Sequence, residues 1–179
     1  MIWLNLKIGQ KWKKSGLCEY EQLPVLEVNG KKYCESNAIN LYLAETFNLM
    51  GKDREENYQI VNLLMTTEDI YAAARDYFYN KDAEESKKEE FRKKAEDKVI
   101  FFLGKFEKKY LELGKKKYFL GEKFTLADIF IAIALTDGIN SFKMKDSTIK
   151  EVAPNLAELI ERIKQNELKE FFEKYFIKK

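Results

Sequence analysis

The stretch Gln22-Leu23-Pro24-Val25-Leu26-Glu27-Val28-Asn29-Gly30 decides how the first part of the chain folds. Residues 24–28 form a short, mostly apolar run that is typical of a strand, and residues 31–34 form a second run. Asn29 and Gly30 between them both tolerate the positive φ angles that a two-residue type I′ turn requires. The sequence therefore predicts a β-hairpin at residues 24–34.

The residues around this hairpin predict a small α/β domain over residues 1–51. Upstream, residues 2–8 alternate loosely between apolar and polar and predict a short strand. Downstream, Glu35-Ser36 opens a helix, with Ser36 expected as the N-cap because serine is a preferred capping residue. Apolar residues recur along that helix at helical spacing, and Gly51 ends it; the stripe is Ile39, Leu43 and Phe47.

Residues 53–179 predict an all-helical second domain. Helix-forming residues fill 54–79, and a charged turn at 81–85 precedes an amphipathic stretch that runs to Leu113. Thr125-Leu126-Ala127-Asp128 before an apolar run indicates a capping box, and further helices are expected from Pro154 and over residues 168–176. The predicted architecture is an α/β module joined to an all-α bundle.

Composition excludes several classes of function. The chain of 179 residues has a net charge of +2, so it shows no broad electrostatic footprint for nucleic acid or membrane. It contains no histidine, which excludes serine–histidine and cysteine–histidine pairs and histidine metal sites within the chain. Its two cysteines form no disulfide framework, and the N-terminus shows no secretory signal. We therefore expect a cytoplasmic protein without a metal or a membrane span.

Together with Glu35-Ser36-Asn37-Ala38-Ile39, the hairpin segment resembles the thioredoxin-like module of cytosolic glutathione transferases. Trp12 and the helical part extend this resemblance over nearly the whole chain, most closely to the sigma class of prostaglandin D synthases and S-crystallins. It implies a glutathione transferase fold with a glutathione-binding domain at 1–51 and a helical domain at 53–179. It also implies a cis bond before Pro24, so that the backbone of Leu23 faces a bound peptide. Pro24 considered alone predicts a trans proline at the start of an edge strand.

The resemblance implies a set of glutathione-binding residues. For one part of this set, the helix itself supplies an independent physical argument. The N–H groups at the start of the Ser36 helix suit a carboxylate such as that of the γ-glutamyl residue. Glu35 stands where the family usually has glutamine, and its charge opposes capture of an acidic peptide. The implied set is Trp12, Lys14, Gln22, Leu23, Pro24, Glu35, Ser36 and Asp69.

Each implied role has a simpler structural alternative. Ser36 alone is most often only a helix cap, and Trp12 can simply pack a loop against the protein. Asp69, 33 residues beyond Ser36, matches a family aspartate that reaches across a dimer interface to the partner's ligand, yet an acid on a helix is usually just solvated. Cys34 near the site is more consistent with a small, buried apolar role than with a nucleophile.

The family's catalytic tyrosine lies in a first strand and helix that this chain is expected to lack. That hydroxyl favours the glutathione thiolate, and Tyr20 and Tyr33 do not match its place. No catalytic residue is therefore assigned. The resemblance implies a homodimeric transferase that conjugates glutathione, as co-substrate, to small electrophiles, or a glutathione-dependent isomerase. The alternative is a non-catalytic relative that serves as a binding, crystallin-like or dimerisation module.

Overall fold

The structure is a computed structural model that describes Gly16, residues 19–80, 82–142, 144, 145 and 147–175. The predicted strand at residues 2–8 lies outside the described residues. The chain divides into two compact units, one up to Met50 and one from Gly51 onward.

The first unit contains the predicted hairpin. Strand β1 (Val25–Val28) pairs antiparallel with β2 (Lys31–Cys34), so that Val25 is opposite Cys34 and Val28 is opposite Lys31. The turn residues Asn29 and Gly30 have φ angles of 51° and 77°. Both angles are positive, as a type I′ turn requires, and the hairpin prediction is confirmed.

Helix α1 (Ser36–Thr46) follows β2 and contacts it. Ile39 and Ala44 are its buried residues. The rings of Tyr33 on β2 and Tyr42 on α1 stack with their centroids 4.4 Å apart. This aromatic pair holds the helix against the hairpin, since stacked rings add attraction beyond the area that they bury.

The second unit is entirely helical in the part of the chain that the structure describes. Its helices are α2 (Arg54–Tyr79), α3 (Glu85–Glu112), α4 (Leu126–Ser141), α5 (Thr148–Val152), α6 (Pro154–Gln165) and α7 (Lys169–Tyr175). Helices α2 and α3 pack together, and both contact α4, while α6 contacts α3, α4 and α7. The predicted architecture, an α/β module joined to an all-α bundle, is confirmed.

The capping box at the start of α4 is present as predicted. The Asp128 carboxylate accepts hydrogen bonds from the N–H groups of Thr125 at 2.9 Å and of Phe119 at 2.8 Å. Asp128 is completely buried, and this burial raises the pKa of its carboxyl to about 6, although the hydrogen bonds act in the opposite direction. The box therefore holds both the helix and the loop that precedes it.

A second buried carboxylate caps α6 from a different helix. Glu107 on α3 is 8% exposed, and its Oε1 accepts from the backbone N–H of Asn155 at 3.1 Å and from Asn155 Nδ2 at 2.6 Å. Its Oε2 accepts from the N–H of Leu156 at 2.8 Å. Because the first N–H groups of a helix have no partner within it, Glu107 satisfies donors at the start of α6 and fixes that helix to α3.

None of the helices that the structure describes combines the length and the apolar character needed to cross a bilayer.

Candidate functional site

The register of the hairpin places the two predicted recognition segments at the same end of the sheet. Val25 is opposite Cys34, Leu23-Pro24 immediately precedes Val25, and Glu35-Ser36 immediately follows Cys34. Paired strands are about 5 Å apart, so these two segments leave the sheet side by side. The structure thus brings together four predicted site residues, Leu23, Pro24, Glu35 and Ser36.

The peptide bond between Leu23 and Pro24 is cis, as the family resemblance implies. Leu23 is half-buried, and its two neighbours, Gln22 and Pro24, are exposed. Pro24 lacks an N–H group, and β1 begins only at Val25. The backbone N–H and C=O groups of Leu23 therefore lie before the part of the strand that pairs with β2.

The N-cap of α1 is Glu35, and the prediction that Ser36 caps this helix is wrong. Glu35 has φ 68° and ψ 113°, its carbonyl accepts the first helical bond from the N–H of Ile39 at 2.9 Å, and its side chain makes no capping bond. The chain turns from β2 into the helix at this residue, so helical geometry begins one position later. Ser36 is therefore the first helical residue, with an exposed side chain beside the start of α1.

The start of α1 has the properties of an anion-binding surface. In any α-helix the first-turn N–H groups have no acceptor within the helix, and the helix dipole places partial positive charge at this end. The side chain of Ser36 is exposed there, so its hydroxyl adds a possible donor. The exposed carboxylate of Glu35 opposes this attraction, since it lies next to the same helix end.

The loop before the hairpin is fixed to the same end of the sheet by Cys34. The backbone N–H of Glu19 donates to Cys34 Sγ at 3.4 Å, and the thiol is free and half-buried. The Tyr20 hydroxyl hydrogen-bonds the Glu19 side chain, which raises the pKa of Tyr20. Sequence reasoning missed this contact, because it joins residues 15 positions apart without any local pattern.

Three further predicted site residues lie outside the described part of the first unit. Asp69 lies on α2 in the second unit with an exposed side chain, and its neighbour Glu68 is half-buried. Trp12 and Lys14 lie outside the described residues. Their predicted roles remain predictions. Among the described residues, no group of histidine, cysteine, aspartate and glutamate side chains is arranged to hold a metal ion.

Comparison with known proteins identifies the family. The family described as glutathione S-transferase, C-terminal domain matches residues 68–175, which is more than half of the chain, and the corresponding N-terminal domain matches residues 6–45. This chain belongs to the glutathione S-transferase family. The hairpin, the cis proline and α1 fall largely within the N-terminal match, and the capping box of α4 falls within the C-terminal match.

Individual members of the glutathione S-transferase family show how far the similarity extends. The chain is 35% identical over 137 residues to probable glutathione S-transferase 5 of Caenorhabditis elegans. This alignment covers 72% of the chain and 64% of the relative. The chain is 30% identical over 161 residues to glutathione S-transferase Mu 6 of Mus musculus. That alignment covers 89% of the chain and 65% of the relative. The chain thus spans less than two thirds of the length of these curated relatives.

A solved structure titled prostaglandin synthase D of Nilaparvata lugens has a similar fold. Its TM-score is 0.70 at 23% identity, and the match covers 88% of this chain and 76% of that one. This likeness shows the fold alone. A Mu relative also matches, so the similarity extends beyond the sigma class and the class stays a prediction.

Proposed function

We propose that this glutathione S-transferase chain binds glutathione and conjugates its thiolate to small electrophiles. In this reaction the glutathione sulfur attacks an electrophilic carbon, and either a leaving group departs with the bonding electrons or the sulfur adds to an activated double bond. Membership of the family supports the proposal, and the observation that carries it is the hairpin register. In that register Leu23-Pro24 comes directly before Val25, and Glu35-Ser36 comes directly after its partner Cys34.

Two backbone surfaces would hold the tripeptide. The γ-glutamyl carboxylate would accept hydrogen bonds from the first-turn N–H groups of α1 and from the Ser36 hydroxyl, at the positive end of the helix dipole. The backbone of Leu23 would pair with the extended cysteinyl part of glutathione, as a strand edge pairs with a peptide. Gln22 and Pro24 would shape this edge.

Three further residues complete the proposed binding set. Trp12 and Lys14 would line the glycyl end of glutathione, by resemblance to the family. Asp69 of the partner subunit would approach the γ-glutamyl amine, which makes the proposed unit a homodimer. The exposed carboxylate of Glu35 lowers affinity for the γ-glutamyl carboxylate relative to a neutral glutamine at the same position.

A non-catalytic role is the second candidate, and the tyrosines favour it. In the family a tyrosine hydroxyl stabilises the thiolate, but the described tyrosines before α1 have other partners. The Tyr20 hydroxyl bonds the Glu19 side chain, and the Tyr33 hydroxyl bonds that of Tyr42, which raises the pKa of Tyr42. A chain that binds glutathione without turnover would serve as a binding, crystallin-like or dimerisation module.

The finer features of the proposal rest on resemblance. We place the chain in the sigma class, in the cytoplasm and in a homodimer, with a residue for thiolate activation still unassigned. A glutathione-dependent isomerase of the prostaglandin type is the related activity that the family resemblance implies.

Calorimetric titration with glutathione, together with conjugation of glutathione to an activated aryl chloride, tests the proposal. We expect saturable binding of one tripeptide per chain. Product formation would support the transferase, whereas binding without product would support the module. Absence of both would overturn the proposal.

A pair of serine variants tests where glutathione binds. Ser36→Ala removes one hydrogen bond to a charged group and should weaken binding about tenfold or more. Ser147→Ala is the matched control, because Ser147 is also an exposed serine at the start of a helix, but it belongs to the second unit. Equal affinities of the two variants would remove Ser36 from the site.

A further inference from the structure

We draw no further inference here: the strongest candidate, the exposed apolar strip on α3 formed by Ile100, Phe101 and Leu111 beside the mixed-charge groove at Lys93, Asp97 and Lys98, carries nothing because nothing in the structure shows what covers it.

Discussion

Replacing Glu107 with glutamine should destabilise the helical unit severely, although the two side chains have nearly the same shape. Glu107 uses both carboxylate oxygens, one for Asn155 and the other for the N–H of Leu156. Glutamine keeps one oxygen, which can still accept from Asn155. Its amide NH2 group would then face the N–H of Leu156, so that two donors oppose each other and a buried donor loses its acceptor.

The size of this effect follows from the environment of the lost bond. Leu156 is completely buried, so water cannot replace the missing acceptor. An unsatisfied buried donor costs about 1–3 kcal/mol, and loss of a negative charge at a helix N-terminus costs about another 1 kcal/mol. We therefore expect a loss of about 2–4 kcal/mol, which corresponds to a fall in Tm of roughly 4–16 °C for a chain of this size.

Thermal and urea unfolding followed by circular dichroism at 222 nm measure this loss. Glu112→Gln is the matched control, because Glu112 is an exposed glutamate on the same helix whose carboxylate lies 3.8 Å from Lys108 Nζ. The control should unfold like the parent protein, since exposed ion pairs add little stability. If Glu107→Gln also unfolded like the parent, the inferred role of Glu107 as the cap of α6 would be refuted.

Three further predictions concern the second unit. Gly51→Ala should destabilise the protein by about 1–3 kcal/mol, because the added Cβ would lie 2.4 Å from Glu56 Cβ. Gly104→Ala should stabilise it by about 1 kcal/mol, because Gly104 lies in mid-helix and, apart from its own stretch of helix, no described atom lies within 4 Å of the added Cβ. Urea unfolding of both variants checks these two predictions, and equal effects would contradict them. For Asp128, burial raises the pKa from 3.8 to about 6, so the folded protein takes up a proton that the unfolded chain does not bind as the pH falls from 7 to 5. The free energy of unfolding of the parent, relative to that of Asp128→Asn, should therefore increase by about 1 kcal/mol as the pH falls from 7 to 5. A difference independent of pH would show that Asp128 is not buried as described.

The parts of the fold that follow local rules could be predicted from the sequence. Asn29-Gly30 specifies its turn because both residues accept positive φ, and the observed angles agree. The long helices α2 and α3 are visible in the spacing of apolar residues, and Thr125 with Asp128 signals the start of α4. Each of these signals lies within a few residues of the structure that it specifies.

The parts that depend on distant contacts could not be predicted. Glu107 has the sequence context of an ordinary solvated acid, and only the approach of Asn155, 48 residues away, makes it a buried cap. The helix Thr148–Val152 is too short to show a period. Ser36 was predicted as the cap because serine is preferred there, but the turn out of β2 assigns that position to Glu35.

For the candidate site, the positions of two segments can be compared with the structure, whereas their role in binding stays a prediction. The sequence identified the segments at Pro24 and Ser36, and the register of the hairpin brings them together. The link between Glu19 and Cys34 was not visible, because a backbone donor to a sulfur leaves no pattern in the sequence. The proposed role of Asp69 involves a second subunit, so no pattern within one chain can establish it.

The backbone amide signals of the 15N-labelled protein, followed by NMR while glutathione is added, test the central claim most directly. If the edge beside Pro24 and the start of α1 bind the tripeptide, the amides of Leu23, Ser36 and Ala38 should shift in a saturable manner. These shifts should diminish with an analogue whose γ-glutamyl carboxylate is replaced by an amide. Shifts confined to the second unit, or signals that do not move at saturating glutathione, would contradict the account.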